Sequence, residues 1–321
     1  LTTKRSLIMR ATNFGVLNNE YVTTNSLQEN YEAMLNDHDR NQLIVDDICH
    51  NFKRGRHQLV LTKRLAHLDI LAALIPNKLQ IPVFELSGRL KPRQNQATID
   101  KLANFKQPYV LLATGNYIGE GFDVNTIDTL LLAMPISWKG NVEQYIGRLN
   151  RDLGKKSELQ VFDYADLFLP MLAKMYKKRL RTYHTLHYQM VATEHQPVFQ
   201  VMQGKAGRQK LMAELRTNQP KILIGVSQLT SAILRLITRF KSANIIVVTL
   251  PVAQQVKHAL FDKLRDLGVI IKYNNRALNT IIIDDKIVWY DYHQVLYATG
   301  DNASLRFSST VLAERFSELF L

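Results

Sequence analysis

The stretch of sequence that decides the fold runs from Tyr109 to Arg151 and reads YVLLATGNYIGEGFDVNTIDTLLLAMPISWKGNVEQYIGRLNR. Its apolar runs at 109–113 and 129–133 have the length of strands and predict buried ones. A loop punctuated by glycines joins them, and residues 142–149 predict a helix. Strands that alternate with helices in this way predict a parallel sheet with helices on both faces.

The same alternation continues on both sides of this stretch. Further strands are predicted at 58–62, 83–86 and 159–163, and helices at 65–74, 97–105 and 167–190. Residues 1–50 are expected to hold polar turns and one helix, which begins near Asp39 and carries Leu43, Ile44 and Ile48 at helical spacing. We therefore expect an α/β fold for this part of the chain.

The composition changes between residues 193 and 207, where prolines and glycines replace apolar runs. We place a domain boundary there, with a first domain over 1–195 and a second, smaller α/β domain over 205–321. The second domain is predicted to alternate strands and helices again, with a hairpin turn at Asp284-Asp285. Its predicted strands lie at 221–226, 244–250, 269–273, 280–283 and 287–290, and its helices at 208–216, 231–240 and 252–267.

The composition excludes several classes of protein. The chain has 321 residues, of which 46% are hydrophobic and 21% charged, so fibrous and disordered proteins are excluded. No run approaches the ~18 apolar residues that a membrane-spanning helix needs, which predicts a cytoplasmic protein without a membrane partner. A single cysteine, Cys49, excludes an intrachain disulfide framework and a cysteine-rich zinc site.

Because the chain begins at Leu1, we expect a fragment or a processed piece.

The charge of the chain gives the first indication of a partner. Lysine and arginine number 41 against 28 acidic residues, which leaves a formal net charge of +13. Such an excess favours a polyanionic partner, most often nucleic acid. A basic protein whose charge serves only solubility stays open as the alternative.

Residues that could carry chemistry concentrate in the quoted stretch. Thr114 and Gly115 follow a predicted parallel strand, at the end where open α/β sheets place their ligands. Glycines such as Gly121 let the main chain pass close to a phosphate or a sugar. Arg148 and Arg151 are three residues apart, so a helix presents them from one face. Two such cations suit a triphosphate whose charge is redistributed during phosphoryl transfer.

Four motifs in this region resemble those of superfamily 2 helicases, in the order of that family. QYIGRLNR at 144–151 resembles motif VI, and ATGNYIGEGFD at 113–123 resembles motif V. LVLTKR at 59–64 resembles motif IV, and LSG at 86–88 resembles the short element that follows it. The resemblance covers about residues 40–165. It implies a RecA-like fold, the second lobe of the motor, nearest to the DEAD/DEAH and restriction-enzyme-like branch.

The resemblance also implies roles for individual residues. Arg148 and Arg151 would be arginine fingers that reach ATP, and Gln144 would couple the nucleotide state to lobe closure. Gly121 and Asp123 would lie near the ribose or the cleft between the lobes. The residues expected to touch the nucleic-acid backbone, with DNA favoured over RNA, are Thr62, Ser87, Gly88, Thr114 and Gly115. Such contacts position a strand without reading its sequence.

Purely structural roles stay open for several of these residues. Arg148 and Arg151 could lie on a solvated helix face, Thr114-Gly115 could form a strand-end turn, and Asp123 could cap a turn. The basic run at 174–181 is expected to be a solvated helix face rather than a nucleic-acid contact. Four histidines have no other metal-ligating residue at a suitable spacing and are expected to be structural: His57, His67, His184 and His187.

Two parts of an ATP site are missing from the sequence. There is no Gly-x-x-x-x-Gly-Lys-Ser/Thr loop and no acidic box for Mg²⁺. The resemblance implies that ATP and Mg²⁺ are held mainly by a P-loop-containing first RecA-like lobe, so this chain alone is expected to be inactive. We therefore predict the C-terminal part of an ATP-dependent helicase or translocase that acts on DNA, with a restriction or phage-defence system as a hypothesis for its context. The alternative is a non-catalytic nucleic-acid-binding or assembly module left by truncation.

The second domain resembles the phospholipase D-like fold that some of these helicases carry. Active members need a His-x-Lys pair before the aspartate strand, and those places hold Ala277 and Asn279 here. The expected Gly-Ser is replaced by Asp291-Tyr292, and His293 has no lysine two residues on. The resemblance thus implies a degenerate scaffold for nucleic-acid contact or dimerisation. A phosphodiesterase built on this domain is the third, least favoured hypothesis.

Overall fold

A parallel sheet of seven strands organises the first part of the chain. The computed structural model describes residues 3–17, 20–21, 26–118, 122, 124–136, 141–149, 156–191, 199–217, 220–240, 244–251, 258–297 and 303–321. The chain divides into two compact units, Leu1–Thr193 and Glu194–Leu321.

The described strands of unit 1 are β1 (Lys4–Ala11), β2 (Val16–Leu17), β3 (Glu20–Tyr21), β4 (His57–Thr62), β5 (Val83–Leu86), β6 (Tyr109–Thr114), β7 (Thr129–Leu132), β8 (Glu158–Ala165) and β9 (Gln189–Met190). Its described helices are α1 (Leu27–Leu35), α2 (His38–Lys53), α3 (Leu65–Leu74), α4 (Pro92–Ala103), α5 (Asn141–Leu149) and α6 (Pro170–Thr185). The sheet order is β5-β6-β4-β7-β8-β1-β9, and neighbouring strands pair in parallel. The predicted α/β class and parallel sheet are confirmed.

Apolar side chains from α2 and α3 pack on this sheet. Ile44 and Ile48 of α2 are fully buried, as is Leu71 of α3, and they contact Val60 and Leu131 in the sheet core. Burying one such aliphatic side chain stabilises a fold by about 1.5–3 kcal/mol. The spacing of residues 44 and 48 explains why the periodicity of α2 is readable in the sequence.

The N-terminal region was predicted incompletely. Besides α2, residues 3–53 contain α1 and the strand β1, which pairs with β8 over eight residues from Lys4↔Glu158 to Ala11↔Ala165. Basic residues flank a short apolar centre in β1, KRSLIMRA, so the strand has no long apolar run of its own. Its partner lies some 150 residues away in the chain, and only that pairing makes it a central strand.

Unit 2 is built on a mixed sheet. Its described strands are β10 (Phe199–Met202), β11 (Ile222–Val226), β12 (Ile245–Thr249), β13 (Ile270–Tyr273), β14 (Thr280–Ile283), β15 (Ile287–Tyr290) and β16 (Ser304–Ser308). Its described helices are α7 (Gly204–Leu215), α8 (Ser231–Ile237), α9 (His258–Asp266), α10 (His293–Tyr297) and α11 (Thr310–Phe320). The order is β10-β16-β15-β14-β11-β12-β13, in which β11, β12 and β13 pair in parallel and the other neighbours antiparallel.

The turn between β14 and β15 is the hairpin predicted at Asp284-Asp285. Both residues have positive φ angles, 52° and 51°, as the two central residues of a type I′ turn require, and three residues lie between the paired Ile283 and Ile287. Beyond the predicted elements, residues 303–321 add β16 and α11 to this unit. Of the predicted helix over 252–267, residues 252–257 lie outside the described ranges and the rest contains α9. None of the helices described here combines the length and apolar character needed to cross a membrane.

Candidate functional site

The carboxyl ends of three neighbouring strands bring the predicted nucleic-acid contacts together. In the register of the sheet, Thr62 at the end of β4 pairs with Thr114 at the end of β6. Leu86 at the end of β5 pairs with Ala113 on the other side of β6. The segments Thr62–Lys63, Ser87–Gly88 and Thr114–Gly115 therefore lie side by side at one edge of the sheet. We call this edge the open edge.

Two glycines of the open edge have close neighbours. A Cβ atom at Gly115 would lie 2.6 Å from the Tyr145 hydroxyl oxygen and 3.3 Å from Lys63 Nζ, so a larger residue would displace these side chains. A Cβ at Gly88 would lie 3.1 Å from the hydroxyl oxygen of Tyr117, a residue that is 39% exposed. Gly115 thus accommodates the close approach of the Tyr145 hydroxyl, whereas a side chain at Gly88 would require only a small shift of the exposed Tyr117.

Lys63 supplies a cation to this edge. Its amino group lies beside Gly115, and burial lowers the pKa of the amine from its ordinary value. Lys63 forms no ion pair with any residue in the described ranges. An ammonium group that is partly removed from water and has no acidic partner is suited to a phosphate. The sequence analysis missed Lys63, although its place directly after the strand was a readable signal.

The hydroxyl of Thr62 is used inside the protein. Asn41 Nδ2 donates to the Leu35 carbonyl (3.1 Å), so its Oδ1 accepts from His67 Nε2–H (2.8 Å). The neutral ring then accepts at Nδ1 from the Thr62 hydroxyl (2.8 Å). Burial, with a smaller contribution from Arg40, lowers the pKa of His67 to about 3, so the ring is uncharged. His67 is thus structural, and any contact of Thr62 with a ligand is left to its main chain.

Ser87 is likewise held from within. Its side chain is fully buried, and its hydroxyl donates to Glu85 Oε1. Asn95 accepts from the Ser87 N–H (3.2 Å) and donates to the Ser87 carbonyl (3.0 Å). Gly88, one residue on, is exposed. Ser87 therefore fixes the turn, and Gly88 is the position that a ligand can approach.

Helix α5 carries the predicted nucleotide-sensing residues. Tyr145, Ile146 and Leu149 are buried, whereas Gln144 and Gly147 are exposed and nothing lies within 4 Å of a Cβ at Gly147. With a period of 3.6 residues, position 148 follows Gln144 by one turn on the same face. The side chain of Arg148 lies outside the described residues. So do three other predicted site residues in full: Gly121, Asp123 and Arg151.

Tyr145 joins α5 to the open edge. Its hydroxyl donates to the Gly115 carbonyl at 2.8 Å, and burial raises the pKa of the phenol. The predicted nucleotide-sensing helix and the predicted nucleic-acid contact therefore share a direct hydrogen bond. Tyr145 stands inside motif VI as an unassigned position, so the motif alone could not reveal it.

The other strand ends of this sheet hold buried ion pairs. Arg40 Nε donates to Asp166 Oδ1 at 2.9 Å with both side chains out of contact with solvent, and Thr12 also donates to this carboxylate. Arg179 Nε donates to Asp163 Oδ2 at 2.7 Å, again fully buried. The expectation that the basic run at 174–181 forms a solvated face is therefore wrong for Arg179, which is buried in an ion pair with Asp163 of β8.

The described residues contain no group of His, Cys, Asp or Glu side chains that could hold a metal ion. In unit 2, Asn279 Oδ1 accepts from the N–H (3.1 Å) and the hydroxyl (3.2 Å) of Ser227, and Ala277 is buried. The two places that phospholipase D-like enzymes use for His and Lys thus have structural roles here. The resemblance to that fold stays a prediction.

Comparison with known proteins identifies relatives of unit 1. The family profile "Helicase conserved C-terminal domain" matches residues 39–152. Transcript termination protein A18 of fowlpox virus (strain NVSL) is 28% identical over 135 residues, which cover 41% of this chain and 28% of that protein. The same protein of Yaba-like disease virus is 27% identical over 120 residues, 37% of this chain and 25% of the relative. The chain thus spans about a quarter of the length of these curated relatives.

Solved structures with a similar course of the chain include T4 UvsW, with a TM-score of 0.46 and 20% identity over 59% of this chain and 40% of that one. Domain 2 of the DEAD-box helicase Mss116p, bound to an RNA duplex, has a TM-score of 0.41 and 12% identity over 65% and 68%. Residues 39–152 are thus similar to a helicase conserved C-terminal domain, the kind of domain that the predicted resemblance implied for this part of the chain.

Proposed function

We propose that this chain is the C-terminal portion of an ATP-dependent nucleic-acid helicase or translocase, with DNA as the favoured substrate. The observation that carries the proposal is the convergence of three motif segments at the open edge, with Tyr145 joining them to α5. The match of residues 39–152 to a helicase C-terminal domain supports the same proposal.

The open edge would hold the sugar-phosphate backbone. Lys63 offers a cation, and the exposed Gly88 leaves the main chain open to close approach. Gly115 is buried, and its carbonyl accepts from the Tyr145 hydroxyl, so it would position the end of β6. Thr62 and Ser87, whose hydroxyls are used internally, would hold the strand ends in place. Thr114, half-buried at the end of β6, would complete the contact. Contacts of this kind position a strand without reading its bases.

The nucleotide would be gripped by a partner lobe. Bound ATP with Mg²⁺ supplies the phosphoanhydride whose hydrolysis drives the motor. The described residues offer no cluster that could hold the metal, so a P-loop-containing first RecA-like lobe would hold it. This chain would contribute Arg148 and Arg151 as fingers that neutralise developing charge, with Gln144 beside them on α5. Gly121 and Asp123 would lie near the ribose or the cleft between the lobes.

The alternative is a non-catalytic nucleic-acid-binding or assembly module left by truncation. The two hypotheses differ in one measurement. In the assembled protein that includes the P-loop lobe, Arg148→Ala should lower nucleic-acid-stimulated ATP hydrolysis by at least ~10³-fold and leave ATP binding unchanged. Arg93→Ala, an exposed cation on α4, is the matched control. Equal turnover in both variants would remove Arg148 from the finger role and support the alternative.

A further inference from the structure

Helices α7, α8 and α10 of unit 2 enclose a pocket of about 110 Å³ that three arginines line. Arg208 comes from α7, Arg235 from α8, and Arg239 follows α8 by two residues. Met212 and Tyr297 are among the remaining residues of its wall. We call this the arginine pocket.

A second depression of about 380 Å³ adjoins the arginine pocket and shares Arg208 and Met212 with it. Lys205 and Arg216 line this second depression. Positions 205, 208, 212 and 216 follow each other at spacings of three and four, so one face of α7 carries the whole stripe. The two depressions therefore form one continuous basic surface.

No acidic side chain lines either depression. None of the five cations forms an ion pair with a residue in the described part of unit 2. By contrast, Lys210 and Arg306 both pair with Glu214, so acids are available to other cations of the same unit. Clustered positive charges raise the local concentration of anions at a surface. This surface is therefore suited to an anionic ligand.

The extent of the surface indicates a polyanion. From Lys205 to Arg216, α7 rises by roughly 16 Å, which is more than one phosphate group spans. Tyr297 is 43% exposed as a residue and brings an aromatic side chain to this surface, with its hydroxyl 3.2 Å from Thr230 Oγ1. An exposed ring beside arginines is suited to stacking an unpaired base while the cations hold the adjacent phosphates.

We propose that the arginine pocket and its adjoining depression bind single-stranded nucleic acid, with phosphates on Arg208, Arg235 and Arg239 and a base stacked on Tyr297. The inference rests on the proposed function, because it assumes that unit 1 acts on nucleic acid. It gives unit 2 a binding site that lies outside the helicase domain.

The test measures binding of the full chain to fluorescein-labelled oligothymidylate by anisotropy over a range of salt concentrations. The triple variant R208A/R235A/R239A should bind at least about ten-fold more weakly, and the slope of log K against log salt should become shallower by about 2, since each lost phosphate contact removes about 0.7. The matched control K263A/K272A/K286A removes three exposed charges elsewhere in unit 2 and should keep nearly the full slope.

Two variants of Tyr297 distinguish base stacking from attraction by charge alone. Tyr297→Phe keeps the ring and should bind like the wild type, whereas Tyr297→Ala should bind at least about five-fold more weakly. A polyglutamate peptide is the probe for a protein partner. If it binds as tightly as the oligonucleotide and Tyr297→Ala leaves oligonucleotide binding unchanged, the nucleic-acid assignment is overturned.

The remaining outcomes distinguish this inference from the proposed function. If the two triple variants bind equally and Lys63→Ala weakens binding, the inference fails and the proposed function stands. If the wild-type chain binds no oligonucleotide at low salt, both fail.

Discussion

The carboxyl edge of the first sheet differs between its two halves. Beyond β8 and β1, Asp166 accepts from Arg40 and from Thr12, and every member of this group is buried. Beyond β4, β5 and β6, Lys63 has no acidic partner in the described ranges, and Gly88 is exposed. We call the first half the locked edge. The difference shows that one sheet edge can satisfy its polar groups internally for stability or leave them available to a ligand.

The locked edge should dominate stability, and Arg40→Ala tests this with the largest expected effect. The substitution leaves the Asp166 carboxylate buried without its cation, which should lower the free energy of unfolding by about 3–5 kcal/mol. Urea-induced unfolding measures the change. Lys4→Ala is the control, because Lys4 pairs with Glu158 at the surface and should contribute under about 1 kcal/mol. Similar losses in the two variants would contradict the comparison.

The buried hydrogen-bonded group of Asn41, His67 and Thr62, which we call the buried relay, predicts that stability depends on pH. The pKa of His67 is about 3 in the folded protein against about 6.5 when unfolded, so the unfolded chain binds more protons between these values and stability falls as the pH is lowered. From pH 7 to pH 5, His67 should remove about 2 kcal/mol from the free energy of unfolding.

Asp47 has the opposite effect, because burial raises the pKa of its carboxyl to about 6. The folded protein then binds the extra proton more readily than the unfolded chain, so the contribution of Asp47 to stability increases as the pH is lowered. The contribution of His67 is therefore measured as the difference between wild type and His67→Gln in urea unfolding at the two pH values. His184→Gln, at an exposed position, is the control and should keep the wild-type difference. A wild-type difference in His67→Gln as well would rule out the relay as its source.

The bond between α5 and the open edge should have a smaller effect. Tyr145→Phe keeps the ring but leaves the Gly115 carbonyl without its donor, which should cost about 1 kcal/mol of stability in urea unfolding. Tyr117→Phe, at an exposed tyrosine of the same edge, should change stability by much less. If both variants unfold alike, the Tyr145 bond does not stabilise the junction.

The open edge should show the reverse of the locked edge, namely altered binding at unchanged stability. Lys63→Ala should make the slope of log K against log salt for single-stranded DNA shallower by about 0.7, the share of one phosphate contact, and leave urea unfolding as in the wild type. Lys106→Ala, an exposed lysine away from the strand ends, should keep the slope. An unchanged slope in Lys63→Ala would place the nucleic acid elsewhere.

Much of the fold was predictable because its signals are local. Runs such as the one at 109–113 and the turn at Asp284-Asp285 define strands and a hairpin within a few residues. β1 was not predictable in this way, because its apolar run is short and flanked by basic residues. Its partner strand β8 is also distant in sequence. Arg179 looked like part of a basic surface because its partner, Asp163, is contributed by another element.

The features of the candidate site also differ in whether their signals are local in the sequence. The order of residues along the chain was enough to show which segments follow the strands, and therefore that Thr62, Ser87 and Thr114 meet at one edge, since parallel strands align their carboxyl ends. Which groups at that edge stay available could be read only from the folded chain, because this depends on neighbours from distant elements. His67, which Asn41 holds in place, accepts from the Thr62 hydroxyl, whereas no acidic side chain in the described ranges pairs with Lys63.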